Sequence, residues 1–125
     1  MDARAPLAAG AAMHGVRYAA WRFVLQRASA AVLALCVVVH LATIIFAVRH
    51  GLTAGAIVAR MQASAFWPAF YVVFVIAVAI HAPLGLRTIA DEWLSLRGRA
   101  TDVALAAIAL VLLGGGLYAV ASLAG

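Results

Sequence analysis

Three long stretches without a formal charge constrain the fold of this 125-residue chain more than any other feature. They cover residues 28–48, 61–86 and 103–125. About 20 apolar residues are enough for a helix to cross the hydrocarbon core of a bilayer. Because lipid offers no hydrogen-bond partner to the backbone, each stretch is predicted to form a helix. The sequence therefore predicts an all-α integral membrane protein with three transmembrane helices.

The composition agrees with this interpretation. Hydrophobic residues make up 68% of the chain and charged residues 10%, whereas a soluble domain carries about 25% charged residues. The one cysteine, Cys36, excludes an internal disulfide. The basic residues are all arginine and lie scattered at the ends of apolar runs, so no nucleic-acid partner is expected. An Ala- and Arg-rich bias is typical of high-GC bacteria, and we expect a multi-pass protein of the bacterial cytoplasmic membrane.

The arginines also predict an orientation. We divide the chain into a cytoplasmic N-terminal segment, 1–27, and an anchor domain, 28–125, with spans near 28–48, 67–88 and 103–124. Most arginines precede the first span or lie between the second and third, and only two lie between the first and second. Positive residues accumulate on the cytoplasmic side. The N-terminus is therefore predicted to be inside and the C-terminus outside.

Glycines mark the connections and the third span. Segments 49–60 and 87–102 are interpreted as linkers, because each contains turn-tolerant glycine. Within the third span, small residues recur every seven positions at Ala107, Gly114 and Ala121. Small residues let helices approach closely in a membrane, so we expect this face to pack against another helix.

Two histidines lie inside predicted spans, His40 in the first and His81 in the second. Ionisable residues at this depth are costly and usually functional. One explanation is a neutral histidine hydrogen-bonded to a neighbouring helix. The other is haem ligation, because a neutral imidazole is a common axial ligand. A proton relay is disfavoured, since all four acidic residues lie outside the spans.

The two histidines are expected at different depths. His40 follows Arg27 by 13 residues, which places it about 20 Å from the cytoplasmic end of its helix. His81 precedes Arg87 by six residues, which corresponds to about 9 Å. The two imidazoles should therefore not bind the same iron. Each would need a partner histidine from another polypeptide, which predicts a larger transmembrane helix bundle.

Arg27 and Arg87 lie at the cytoplasmic ends of the two histidine-bearing spans. Positive-inside anchoring explains both. Alternatively, each guanidinium pairs with haem propionates or donates hydrogen bonds to a quinone carbonyl. Ser29 is a candidate for an additional polar contact at this end. Asp91 and Glu92 are interpreted as solvated acids that balance the arginines following them.

Two motifs resemble those of the cytochrome b anchor subunit of succinate dehydrogenase and fumarate reductase. Residues 26–30, Gln-Arg-Ala-Ser-Ala, resemble the H-R-x-S/T-G motif that opens its first helix. Residues 81–87, His-Ala-Pro-Leu-Gly-Leu-Arg, resemble its second-helix motif H-x-x-x-G-x-R, which an acid follows. The resemblance runs from about residue 21 to the C-terminus. The departures from the family pattern are Gln26 for His, Ala30 for Gly, Phe23 for a quinone-site serine, and Pro83 and Leu84 at positions that are often polar.

The resemblance implies an electron-transfer role. Such anchors hold a flavoprotein subunit and an iron–sulfur subunit, and electrons pass between these subunits and membrane quinone. The dicarboxylate chemistry takes place on the partners. By this resemblance, His81 ligates haem b, Arg27 lies near the quinone and the haem propionates, and His40 ligates an outer haem as in two-haem members.

Several alternatives stay open at this point. The partner helices are expected from a second small three-helix anchor subunit or from a second copy of this chain. A haem-free scaffold of a related flavoprotein complex and a small transporter subunit are the competing functions. The transporter is disfavoured because no intramembrane acid or inverted repeat is present in the sequence. The quinone type and the direction of turnover are not encoded in any single residue.

Overall fold

The computed structural model describes the backbone of residues 4–125, with side chains from residue 12 onward. Within that range four helices follow one another and no strand is present. They are α1 (Arg4–Arg49), α2 (Ala54–Ala63), α3 (Phe66–Glu92) and α4 (Arg99–Ala124). Helices α1, α3 and α4 are long and apolar enough to cross a membrane. The predicted all-α fold with three transmembrane helices is confirmed.

Helix α1 begins far before the predicted first span. Its apolar part, Ala12–Arg49, has 38 residues, which corresponds to about 57 Å. The hydrocarbon core of a bilayer is about 30 Å thick, so a helix of this length extends beyond it. The alanine-rich N-terminal sequence favours this continuation, because alanine has the highest helix propensity. The predicted cytoplasmic segment 1–27 is thus helical from Arg4 onward and continuous with the span.

The short helix α2 was not predicted, and it occupies most of the segment interpreted as the first linker. The chain turns at Gly51, whose φ of 90° suits glycine. Thr53 then caps the helix, because its hydroxyl oxygen accepts a hydrogen bond from the Ala56 N–H at 3.1 Å. Met61 is buried and holds the helix against the bundle. A threonine before an apolar run is a helix start signal that the linker glycines obscured.

An arginine of α2 joins this helix to two of its neighbours. The Arg60 guanidinium carbon lies 5.7 Å from the Phe46 ring centre on α1 and 5.5 Å from the Trp67 ring centre on α3. A cation over an aromatic face contributes about 0.5–1 kcal/mol at an exposed site. We call the end of the bundle that carries α2 the outer end, and the opposite end the inner end, after the predicted orientation.

Helix α3 is the centre of the arrangement. It packs against α1 on one side and α4 on the other, while the backbones of α1 and α4 do not approach each other closely in the described part of the chain. Most of the buried residues of α1, α3 and α4 are small: Ser29, Cys36, Ala77, Ala79 and Ala90. Small residues allow close approach of helices in a membrane. Wide apolar faces of α1 and α4 remain exposed.

The glycine that lets α3 and α4 pack closely is Gly116, two residues after Gly114 and therefore on the other side of α4 from the predicted face. A Cβ atom there would lie 2.6 Å from Cγ1 of Val75, so α3 and α4 can only meet because no side chain is present. Ala107, Gly114 and Ala121, predicted as a packing face, are exposed. Contact of that face with a helix from another chain stays a prediction.

Candidate functional site

The inner half of the α1–α3 interface brings Ser29 and His81 together. Ser29 is 6% exposed, and its hydroxyl donates a hydrogen bond to the Gln26 carbonyl oxygen at 3.1 Å. The same hydroxyl oxygen lies 3.4 Å from Nδ1 of His81, which is half-buried on α3. We call this pair the inner level. The two residues come from the two different motifs, so the structure joins what the sequence separates by 52 positions.

Gln26, a departure from the first motif and a candidate for a polar contact beside Arg27, completes the inner level. Its Nε2 atom lies against Gly85, where an added Cβ would be only 3.3 Å away. Its Oε1 atom is buried and has no hydrogen-bond partner in the described part of the chain. A buried carbonyl oxygen without a partner is costly, so this one is available to a donor from outside the chain. The replacement of the motif histidine by Gln26 is the sequence feature that could have identified this role.

The outer half of the same interface holds His40. Its Nδ1 lies 3.3 Å from the Tyr71 hydroxyl, and its ring meets the Tyr71 and Phe74 rings edge-on, with centres 5.7 and 5.6 Å apart. We call His40 and Tyr71 the outer level. Sequence reasoning missed Tyr71, although a tyrosine inside an apolar run needs a hydrogen-bond partner and therefore signals one nearby.

The separation of the two levels follows from the contacts. Ser29 and His40 are 11 residues apart on α1, and Tyr71 and His81 are 10 apart on α3. At 1.5 Å per residue both counts correspond to about 15–17 Å along the helices. This separation is larger than the difference between the two depths that the sequence predicted. The sequence placed Arg27 and Arg87 at one depth. In the structure Arg27 is only two residues from the inner level, so it lies deeper than Arg87.

A cleft of about 690 Å³ opens beside the outer level. All four helices line it, and most of the lining is apolar. His40 and Tyr71 reach it from α1 and α3, and Arg60 and Met61 from α2. Its volume lies in the range of about 300–1,000 Å³ that is usual for small-molecule sites. The cleft therefore combines an apolar wall with a few polar groups, which is the pattern of a ligand pocket.

The two predicted site arginines have partners other than His81. Arg27 is exposed on α1, and its guanidinium carbon lies 5.5 Å from the Phe23 ring centre. Arg87 forms ion pairs with Asp91, at 3.2 Å, and with Asp102 at the start of α4. The interpretation of Asp91 as a solvated acid was wrong, because it lies one turn after Arg87 and is half-buried beside it.

A smaller cleft of about 560 Å³ lies at the inner end between α1, α3 and α4. Arg87 and Asp102 line one side of it, and Tyr18 and Arg22 line the other. The Arg22 guanidinium carbon lies 5.9 Å from the Tyr18 ring centre. Sequence reasoning treated Arg22 only as an orientation signal. In the structure Arg22 lines this cleft together with the ion pair of Arg87 and Asp102.

Comparison with known families decides the affiliation. The family model of the succinate dehydrogenase/fumarate reductase transmembrane subunit matches residues 1–117. The chain belongs to this family. As a membrane subunit of such a complex, it has partner subunits and lies in a lipid bilayer. No curated protein and no solved structure matches the chain. The resemblance read from residues 26–30 and 81–87 is thereby confirmed.

The residues of this transmembrane subunit fit a haem better than a bare metal ion. No group of three or more His, Cys, Asp or Glu side chains lies close enough to hold an ion within residues 12–125. A haem brings four ring nitrogens of its own and needs only axial ligands from protein. His81 at the inner level and His40 at the outer level can each offer one imidazole ligand, and each has a polar group beside its Nδ1.

Proposed function

We propose that this chain is the cytochrome b-type anchor of a succinate:quinone oxidoreductase complex. In this role it binds haem b through His81 and helps form the quinone site that exchanges electrons with an iron–sulfur subunit. The observation that carries the proposal is the inner level, where Nδ1 of His81 lies against the Ser29 hydroxyl. Ligating histidines usually direct the nitrogen that is not bound to metal at such an oxygen.

The residues of the inner end have distinct tasks in this proposal. His81 would hold haem through Nε2, and haem, when bound, would supply a one-electron carrier. Arg27 lies about 3 Å from the inner level along α1 and is exposed, so its guanidinium can meet haem propionates or a quinone carbonyl from a neighbouring helix. Arg87 already has two carboxylate partners. It therefore mainly ties α3 to α4.

The outer level carries the second part of the proposal. His40 reaches the large apolar cleft, where it can ligate an outer haem. Each iron then needs a second imidazole from a neighbouring chain, either a second three-helix anchor or a second copy. The open faces of α1 and α4 leave room for such a partner. A flavoprotein and an iron–sulfur subunit dock at the inner end, on the cytoplasmic side of a bacterial inner membrane.

Visible spectroscopy of the purified complex tests the haem assignment. We expect a b-type reduced-minus-oxidised spectrum with two components. His81→Ala should remove one component and His40→Ala the other, because each removes a single axial ligand. His14→Ala is the matched control, since this histidine is exposed near the N-terminal end of α1 and should leave both components intact. An unchanged spectrum in His81→Ala would contradict the assignment of His81.

A haem-free anchor is the second candidate function, and one observation favours it. Both intramembrane histidines already have a polar partner within the chain, Ser29 for His81 and Tyr71 for His40. In a haem-free anchor, the only role of these two histidines is to join α1 to α3 through hydrogen bonds. A pyridine haemochrome assay on the quinone-reactive complex distinguishes the two functions, because a colourless but active complex is expected only from the haem-free anchor.

A further inference from the structure

We propose that Ser29 is a positioning residue that fixes the proton of the His81 ring on Nδ1 and so keeps Nε2 free for iron. The inference rests on the proposed function, because it concerns how this chain prepares its ligand. Sequence reasoning placed Ser29 beside Arg27 as a contact for the cofactor itself. In the structure Ser29 is buried against His81, whereas Arg27 is exposed.

The hydrogen-bond donors and acceptors around Ser29 determine which nitrogen of His81 carries the proton. A serine hydroxyl carries one hydrogen, and the backbone carbonyl oxygen of Gln26 can only accept a hydrogen bond. At 3.1 Å the carbonyl is the nearer of the two partners of Oγ, so it takes that hydrogen. The lone pairs of Oγ are then left for His81 at 3.4 Å. Because these lone pairs only accept, Nδ1 must be the protonated nitrogen of the neutral imidazole.

A proton on Nδ1 changes what the other ring nitrogen of His81 can bind. A neutral imidazole protonated on Nδ1 has its lone pair on Nε2, the form that binds iron. The hydrogen bond from Nδ1 also holds the ring orientation and raises the basicity of the ligand. Stronger electron donation by the imidazole favours ferric iron. Ser29 should therefore lower the midpoint potential of the His81-dependent haem.

The packing of α1 against α3 around Ser29 holds this residue in place. Gln26 lies one turn before Ser29 and packs its amide on Gly85, one turn after His81. An added Cβ at position 85 would lie 3.3 Å from this amide nitrogen, so the amide of Gln26 is closely packed against α3. Ser29 itself is 6% exposed, so water cannot replace its hydroxyl in the folded chain. Nδ1 then depends on this one hydroxyl.

The test compares two variants of equal shape in the purified complex. Ser29→Thr keeps a hydroxyl that can make the same local hydrogen bond, and Ser29→Val replaces that hydroxyl with a methyl group. We expect Ser29→Thr to stay close to wild type. In Ser29→Val the affinity for the His81-dependent haem should fall about 10–100-fold, as is typical when an outer hydrogen bond to a ligand is lost, and this haem should transfer faster to excess apomyoglobin. Its midpoint potential should also rise.

Ser122→Ala is the control, because Ser122 donates to the Ala119 carbonyl at 2.9 Å in the same local geometry but faces no histidine. Equal haem loss and equal potentials in Ser29→Thr and Ser29→Val overturn the inference. Loss of haem or of assembly in both also overturns it, because the site then responds to side-chain volume and not to the hydroxyl. A colourless wild-type complex instead refutes the proposed function itself.

Discussion

The contact between Gly116 and Val75 gives the sharpest prediction for the stability of the bundle. Replacing Gly116 by alanine would put its Cβ 2.6 and 2.7 Å from the two Val75 methyl carbons and 3.2 Å from Cβ of Val75. Rotating the valine cannot relieve all three contacts, because its own Cβ does not move and a β-branched side chain has few rotamers. The helices α3 and α4 must therefore shift apart.

The expected magnitude follows from two opposing effects. Alanine is favoured over glycine inside a helix by about 0.8–1 kcal/mol. Overfilling a packed contact costs about 1–3 kcal/mol. Gly114→Ala experiences only the first effect, since an added Cβ there meets nothing within 4 Å. We therefore expect Gly116→Ala to be less stable than Gly114→Ala by about 1–3 kcal/mol, a factor of at least about 5 in the unfolding equilibrium.

The separation of α3 from α4 is the quantity to measure. A fluorophore pair placed on the two helices reports it as SDS is added to the protein in mild detergent micelles. Gly116→Ala should reach half-separation at a lower SDS fraction than Gly114→Ala. If the two alanine variants separate at the same SDS fraction, the close α3–α4 contact at Gly116 is not present in the folded protein.

Three further predictions concern single hydrogen bonds and ion pairs. Thr53→Ala should destabilise α2 by about 1 kcal/mol, because its cap is lost, and hydrogen exchange at the start of α2 should be faster than in Thr53→Ser. Asp102→Asn should cost less than about 1 kcal/mol, because the pair with Arg87 is largely exposed; a thermal-shift series in detergent checks this, and a larger loss contradicts it. Tyr71→Phe should change only the His40-dependent haem component, which redox titration resolves, and an altered His81-dependent component would contradict the separation of the two levels.

The three spanning helices could be predicted because length and apolarity alone decide them in a membrane. Helix α2 was missed although Thr53 is a start signal, since glycines surround it and the helix also depends on packing Met61 and Arg60 onto neighbours that only the folded chain supplies. The extent of α1 was missed for a different reason. Charge distribution defines where a helix leaves the bilayer, and it does not define where the helix itself begins.

The sequence singled out some residues of the candidate site, but it did not single out Tyr71 and it did not contain the geometry of the site. Chemistry singled out His40, His81 and the arginines, because polar groups are rare at such depth. The partner of each histidine depends on the rotation of α1 against α3, which the spacing within one motif does not contain. Ser29 and Arg27 show the effect clearly. They are two residues apart, so they point to different sides of α1, one to His81 and one away from the chain.

The exposed face of α1 is best interpreted through its polar residues. Exposed apolar side chains do not distinguish lipid from a partner helix, because lipid tails are as apolar as leucine. An exposed guanidinium close to the level of His81 does distinguish them, because a charge at that depth is costly unless it is paired. No carboxylate pairs with Arg27 among the described side chains. The face that carries Arg27 is therefore where we expect an anionic cofactor group or a partner chain.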